Sequence, residues 1–277
     1  SAICNGYNTE AMSRCPFPSI PHYLAQQDWP NAQIDGLNVT HIWTQSPAMS
    51  SDIASACNIP NVTDRIEDMI GNIDGLLLAR DDAQNHFKIA QPFLIAGIPI
   101  YIDKPIAISL HDFDELQHAQ RFSNQIFSCS ALRYAQEIQF GQMCTPINEE
   151  TTLIGVTPKS WDTYSVHVID PIVEQIGTNA GYEILDRRAL SKDGAMVSIK
   201  FHGGPTCRFI AFGSDVACDI SFHIQQKEFR IFRFHNSFDA FKTALLRFQD
   251  VIAGSAFHHP TELNRTIVSV IELGRGL

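Results

Sequence analysis

Over residues 1–107, short apolar runs alternate with amphipathic stretches, the pattern of a parallel sheet built from strand–helix–strand units. Residues 39–43 and 99–102 read as strands, and 74–79 as a strand apolar throughout, as parallel strands covered on both faces tend to be. Between them the pattern predicts helices over 52–57, over 63–70 with Thr63 as its cap, and over 82–96. Gly97 is placed to stop the last of these, and Pro92 inside it is expected to bend or shorten it.

The periodicity changes after residue 107. A helix over 110–122, strands over 125–129 and 137–139, and a helical segment over 161–177 come first. Then the alternation has period two over 195–201, 207–212, 217–222 and 228–234, with Gly/Asp turns between. Two helices, 237–253 and 260–273, close the chain. The expected fold class is α/β: a doubly wound parallel domain over 1–107, then an α+β domain over 108–277 with a large, open, mainly antiparallel sheet.

The bulk composition narrows the function classes. A net charge of -10 argues against a nucleic-acid groove, which needs a clustered positive surface. No apolar run is long enough for a membrane span, and no basic-then-apolar leader opens the sequence, so a cytoplasmic protein is expected. Seven scattered cysteines without a CxxC pair read as reduced thiols. His202, His223 and His235, and the His258-His259 pair, lack acidic or cysteine partners at ligand spacing, so no metal site is expected.

In a doubly wound sheet, ligands bind beyond the carboxyl ends of the strands. Residues 4–9 hold Asn5, Gly6, Tyr7 and Asn8, where a dinucleotide fold carries its glycine-rich phosphate loop; only the middle glycine is present, and almost no strand precedes it. After the next strand, Thr44 stands where an acidic residue holds the ribose of NAD, or a small hydroxyl residue the phosphate of NADP; the choice stays open. After residues 74–79 come Ala79, Arg80 and, on the first helical turn, His86. The strand over 99–102 ends in Asp103-Lys104-Pro105. A lysine there points into the ligand crevice, where its ammonium stabilises an alkoxide during hydride transfer.

The run from Ile73 to Pro105, with His86, Ala90, Gly97 and the closing Asp-Lys-Pro, resembles the glucose–fructose oxidoreductase / inositol dehydrogenase / rhizopine-catabolism (Gfo/Idh/MocA) family, with Asp103 in place of its usual Glu. The resemblance implies a Rossmann domain, an open-sheet second domain that pairs subunits, and NAD- or NADP-dependent chemistry on a sugar, polyol or related carbonyl compound. It implies Lys104 as one catalytic residue, and as the other a histidine in a segment matched here by 163–170, which puts His167 and Asp170 in place. Thr163 and Tyr164 replace the family's Asp and Gly, and Asp162 is one residue out of register, so Tyr164 can share the proton transfer with His167. Arg133 resembles the family's arginine at the start of the second domain, and Arg133, Asp162, Thr163 and Asp170 are expected near the substrate. Two rival readings are an NAD-retaining glycosidase of the same fold and a non-catalytic homologue.

Overall fold

The strand–helix alternation of the first part folds as a layered parallel structure, but its sheet is in two pieces. The computed structural model describes residues 1–139, 146–177, 181–255 and 261–277. It opens with three short helices, α1 (Ala2–Asn5), α2 (Thr9–Met12) and α3 (Ser19–Ala25). Then follow β1 (His41–Ile42), α4 (Pro47–Ala56), β2 (Asn61–Val62), β3 (Leu76–Leu78), α5 (His86–Ala96), β4 (Ile100–Ile102), α6 (Leu110–His118) and β5 (Ile126–Phe127). β1 and β2 form one parallel pair, and β3, β4 and β5 a separate parallel sheet in that order.

Several boundaries move for local reasons. α4 starts five residues before the expected point because Pro47 pre-sets the first helical turn and Ser46 Oγ accepts from the Met49 N–H. The helix expected over 63–70 is only a 3-10 turn, Ile66–Met69, and the Thr63 hydroxyl donates to the Ile42 carbonyl instead of capping it. Gly97 ends α5 in the left-handed conformation, φ 80°, as expected, while Pro92 stays inside an unbroken helical span. β5 pairs with β4, so the parallel sheet continues beyond residue 107. A two-residue apolar run has no periodicity by which to assign it to either sheet.

The second part is a six-stranded mixed sheet of β6 (Thr152–Thr157), β7 (Tyr182–Ala189), β8 (Ala195–Phe201), β9 (Thr206–Ala211), β10 (Ser221–Gln225) and β11 (Phe229–Arg233). Its order is β11-β10-β6-β9-β8-β7, antiparallel except for the β6–β9 pair. β6 and β7 were not expected from the pattern. β7 is an edge strand carrying Glu183, Asp186, Arg187 and Arg188, with no apolar stripe to reveal it. The strand expected over 137–139 is instead a 3-10 turn, Gln136–Ile138, whose Ile138 is fully buried.

The helical segment after β6 divides into α7 (Trp161–Tyr164) and α8 (Val166–Ile176), and the chain closes with α9 (Ser237–Ile252) and α10 (Thr261–Gly274). Gly155 in β6 is what seats α8: a Cβ there lies 2.6 Å from Val168 Cβ, so only a glycine admits the helix this close. α9 crosses back to the first sheet, where Phe248 meets Tyr101 and Phe127 at ring-centroid distances of 5.7 and 6.1 Å. The two parts therefore share packing rather than hanging from a linker. Six cysteines (Cys4, Cys15, Cys57, Cys129, Cys207, Cys218) are free thiols, and Cys144 and the His258-His259 pair lie outside the described residues. Among the described residues no helix is long and apolar enough to cross a membrane.

Candidate active site

The floor of the site is made by the carboxyl ends of β1, β3 and β4. The β3–β4 ladder continues one residue past β4, where the Asp103 N–H donates to the Leu78 carbonyl at 3.0 Å, so Lys104 emerges directly from the strand end. Its ammonium lies 3.4 Å from Asp103 Oδ2, and its side chain is only 18% exposed, so it does not face bulk water. Burial pushes the Asp103 carboxyl above its ordinary range, and the Lys104 charge opposes that shift.

A cleft of about 790 Å³ runs between β1 and β3 and carries Trp43, Thr44, Ala79 and Arg80 at this end, with Phe248 and Ile252 of α9 along its wall. The Thr44 hydroxyl donates to the Ser46 carbonyl at 2.7 Å, which fixes the turn into α4. Arg80 is clamped by Asp82 through its Nε at 2.7 Å and through Nη2. The same clamp holds the Asp82 carboxyl well below the usual carboxylate range. His86, expected to touch a cofactor, is fully buried instead. Its Nε2 lies 2.8 Å from the Arg80 carbonyl and its Nδ1 3.1 Å from the Ile106 carbonyl, so the imidazole ties the loop after β3 to the segment after Lys104.

The second group of candidate residues lies on α7 and α8. His167 Nδ1 lies 2.9 Å from Ser130 Oγ. Because the Leu132 N–H already donates to that oxygen, the Ser130 hydroxyl proton can be given to Nδ1, leaving Nε2 as the ring N–H. Burial, and then the positive charges of Lys104 and Lys159, push the His167 pKa down to about 3, so the ring is neutral near pH 7. Tyr164 stacks edge-on to it at 5.0 Å. The Lys159 ammonium donates to the Tyr164 hydroxyl and lies 4.2 Å from its ring centroid. Of the residues chosen from sequence, Tyr164 packs against His167, and the charge of Lys104 reaches His167. Ser130 and Lys159 were missed because neither stands in a segment whose pattern marks it; only folding brings them to the histidine and the tyrosine.

Other expected site residues are held by partners of their own. Asn5 exchanges hydrogen bonds of 2.8 Å with both backbone groups of Val39, on the chain leading into β1, and donates to the Asn58 carbonyl, on the chain leading into β2. Residues 5–8 therefore sit at the amino ends of the strands, opposite Thr44 and Lys104, and cannot cradle phosphates there. Ala2–Asn5 is helical, Gly6 follows at φ 69°, and Asn8 caps α2 through the Ala11 N–H. Arg133 and Asp170 are also withdrawn from the cleft, 5% and 1% exposed, joined by hydrogen bonds of 2.6 and 2.8 Å. Asp162 accepts from Arg275 at 3.2 Å, and the Thr163 hydroxyl meets Ser160 Oγ at 2.6 Å. Among the described residues, His111, Asp112 and Glu115 on α6 are the group whose potential donor atoms lie within 4.8 Å of one another, and Asp112 is already bonded by the Ser109 hydroxyl.

The cleft has the volume of a small-molecule or cofactor site. Thr44, Ala79 and Arg80 line the cleft and would hold the ribose end of a dinucleotide, while Asp103, Lys104 and Pro105 follow the neighbouring strand end, outside that lining.

Residues 22–130 match the Gfo/Idh/MocA model, described as an oxidoreductase family with an NAD-binding Rossmann fold. No curated protein matches the sequence. Solved structures share the architecture over most of their length. The apo scyllo-inositol dehydrogenase of Lactobacillus casei superposes with TM-score 0.67 at 11% identity, over 87% of this chain and 88% of that one. The myo-inositol 2-dehydrogenase of Lactobacillus plantarum gives 0.66 at 13%, over 87% and 89%. GenD2 from gentamicin A biosynthesis, solved in complex with NAD, gives 0.68 at 12%, over 86% and 85%. At such identities the likeness is one of fold: a Rossmann-type parallel domain joined to a larger mixed sheet.

Proposed function

We propose that this chain, whose residues 22–130 match the Gfo/Idh/MocA oxidoreductase family model, oxidises or reduces a sugar, polyol or related hydroxy or keto compound with a nicotinamide cofactor. The observation that carries the reading is Lys104, whose shielded ammonium stands at the tip of β4 and acts electrostatically on His167. Inositol dehydrogenases among the structural neighbours favour a cyclic polyol as the substrate class.

When bound, the cofactor supplies a hydride donor or acceptor. Lys104 stabilises the oxygen that bears negative charge as the carbinol carbon changes between alcohol and carbonyl. His167, oriented by Ser130, or Tyr164 exchanges the hydroxyl proton. NAD is favoured over NADP because Arg80, the cation lining the cleft among the described residues, is already neutralised by Asp82, leaving a 2′-phosphate no free partner. The outer face of the six-stranded sheet, where Phe229 is 59% and Ile231 50% exposed, is read as a contact between copies of the chain; light scattering distinguishes monomer from oligomer.

A cofactor screen by thermal unfolding tests the proposal. A ligand at 100 times its dissociation constant adds about 2.7 kcal/mol, so NAD should raise the melting temperature clearly and a polyol panel should then reduce it. If neither NAD nor NADP shifts the transition, the second reading takes over: a non-catalytic homologue. That reading draws on the placement of Asn5 to Asn8 at the far end of the strands.

A further inference from the structure

The parallel sheet of the first part is broken between β1 and β3, and both broken edges face one cleft. In a parallel ladder the N–H and C=O of one residue turn to one neighbour, and those of the next residue to the other. The Leu76 N–H donates to the Pro99 carbonyl at 2.9 Å and the Asp103 N–H to the Leu78 carbonyl at 3.0 Å, so Leu76 and Leu78 face β4. Leu77 and Ala79 therefore turn their peptide groups to the cleft. Across it, the Thr40 and Ile42 carbonyls accept from the Asn61 and Thr63 N–H groups at 3.2 and 3.0 Å, so His41 and Trp43 turn theirs to the cleft as well. Among the described residues, the backbone groups of His41, Trp43, Leu77 and Ala79 have no hydrogen-bond partner. At the amino end of the β1 edge the Asn5 carboxamide both donates to and accepts from the Val39 backbone, as the peptide group of a neighbouring strand does.

The faces of the gap are apolar. Leu76 and Leu78 share one cluster with Ile66 and Met69, while Leu77 packs with Phe248 and Ile252 in another, and all four of these neighbours line the cleft. We propose that the cleft is a docking slot for a β-strand of a second polypeptide, an extended run of about six apolar residues that joins the two sheets into one. The length follows from the two edges, residues 39–44 and 74–79, which at about 3.3 Å per residue run for about 20 Å. The apolar character follows from burial on both faces, and the extended form from two rows of backbone groups that need partners. A second polypeptide is the source because the apolar runs of the described residues already have places in strands and helices. The dinucleotide of the proposed function would lie outside the carboxyl ends of the strands, beside Thr44, Ala79 and Arg80, so the slot adds to that reading and does not depend on it.

The test follows backbone amide exchange by NMR in the full chain, with and without a synthetic peptide of six alternating valine and isoleucine residues flanked by lysines. The peptide should slow exchange at His41, Trp43, Leu77 and Ala79 about tenfold or more, while Leu76 and Leu78, paired with β4, change little. Trp43 fluorescence should shift to the blue as water leaves the cleft. The same peptide N-methylated at every second residue cannot pair with one edge and should lose most of its affinity. Leu77→Pro, which replaces an N–H that has no partner to lose, should block docking; if that variant does not fold, the N-methylated peptide carries the comparison. Equal affinity for the two peptides, or protection without the alternation along β3, overturns the proposal. So does protection without peptide: independent of protein concentration, it shows β1 and β3 closing on each other, and rising with concentration, it shows a second copy of this chain in the slot. NAD alone should leave these four amides unchanged, and a slot that NAD protects and the peptide does not is wholly a ligand site.

Discussion

Asp170 grips Arg133 with both carboxylate oxygens, at 2.6 Å to Nε and 2.8 Å to Nη2, and also accepts from the Ser130 N–H at 2.8 Å. One carboxylate on α8 thereby fixes the segment that carries Ser130, and Ser130 in turn orients His167 one helical turn away. The aspartate that the sequence pattern offers as a substrate contact works from behind the site.

The first expectation concerns that pair. Asp170→Asn leaves a buried guanidinium without its counter-charge, and such a loss costs about 3–5 kcal/mol. Urea unfolding should show a drop of that size. A paired Arg133→Met, Asp170→Leu variant should recover much of it, because two apolar groups of similar volume need no partner.

Lys104→Ala should cut kcat by about a hundredfold to a thousandfold, the size of losing one preorganised electrostatic donor, with the melting temperature nearly unchanged. It should also raise the His167 pKa, because one of the two cations disfavouring the imidazolium is gone. Imidazole proton shifts in an NMR titration measure this directly.

Acid should weaken the fold through His167. Its folded pKa of about 3 lies below the unfolded value of about 6.5, so between these limits the unfolded chain binds more protons. Stability from this group is present above pH 6.5 and is lost as pH falls toward 3. The slope of unfolding free energy against pH over that window should be smaller in His167→Gln than in the parent.

Gly274 ends α10 against the Trp161 ring, whose Nε1 donates to the Ile271 carbonyl at 2.7 Å. A Cβ on Gly274 comes within 2.2 Å of that ring, which is too close without movement. Gly274→Ala should therefore destabilise by about 1–3 kcal/mol, the usual cost of overpacking, and red-shift the Trp161 fluorescence if the ring is driven toward solvent.

Local pattern alone determined the strand–helix alternation of the first part, the strand over 195–201, the glycine stop at Gly97 and the closing helices, because periodicity and turn chemistry are properties of neighbours in the chain. It likewise placed Lys104 at the end of a parallel strand, the position beyond which a doubly wound sheet binds its ligands. Tertiary structure decided the rest. It assigned β5 to the first sheet, sent Asn5 to Asn8 to the wrong end of the strands for phosphate, and buried His86, Arg133 and Asp170 as ties between segments. It also brought Ser130 and Lys159 to His167 and Tyr164. A side chain's chemistry depends on which groups exclude water from it and which charges face it, and those groups come from elements far apart in sequence. No window of neighbouring residues contains that information.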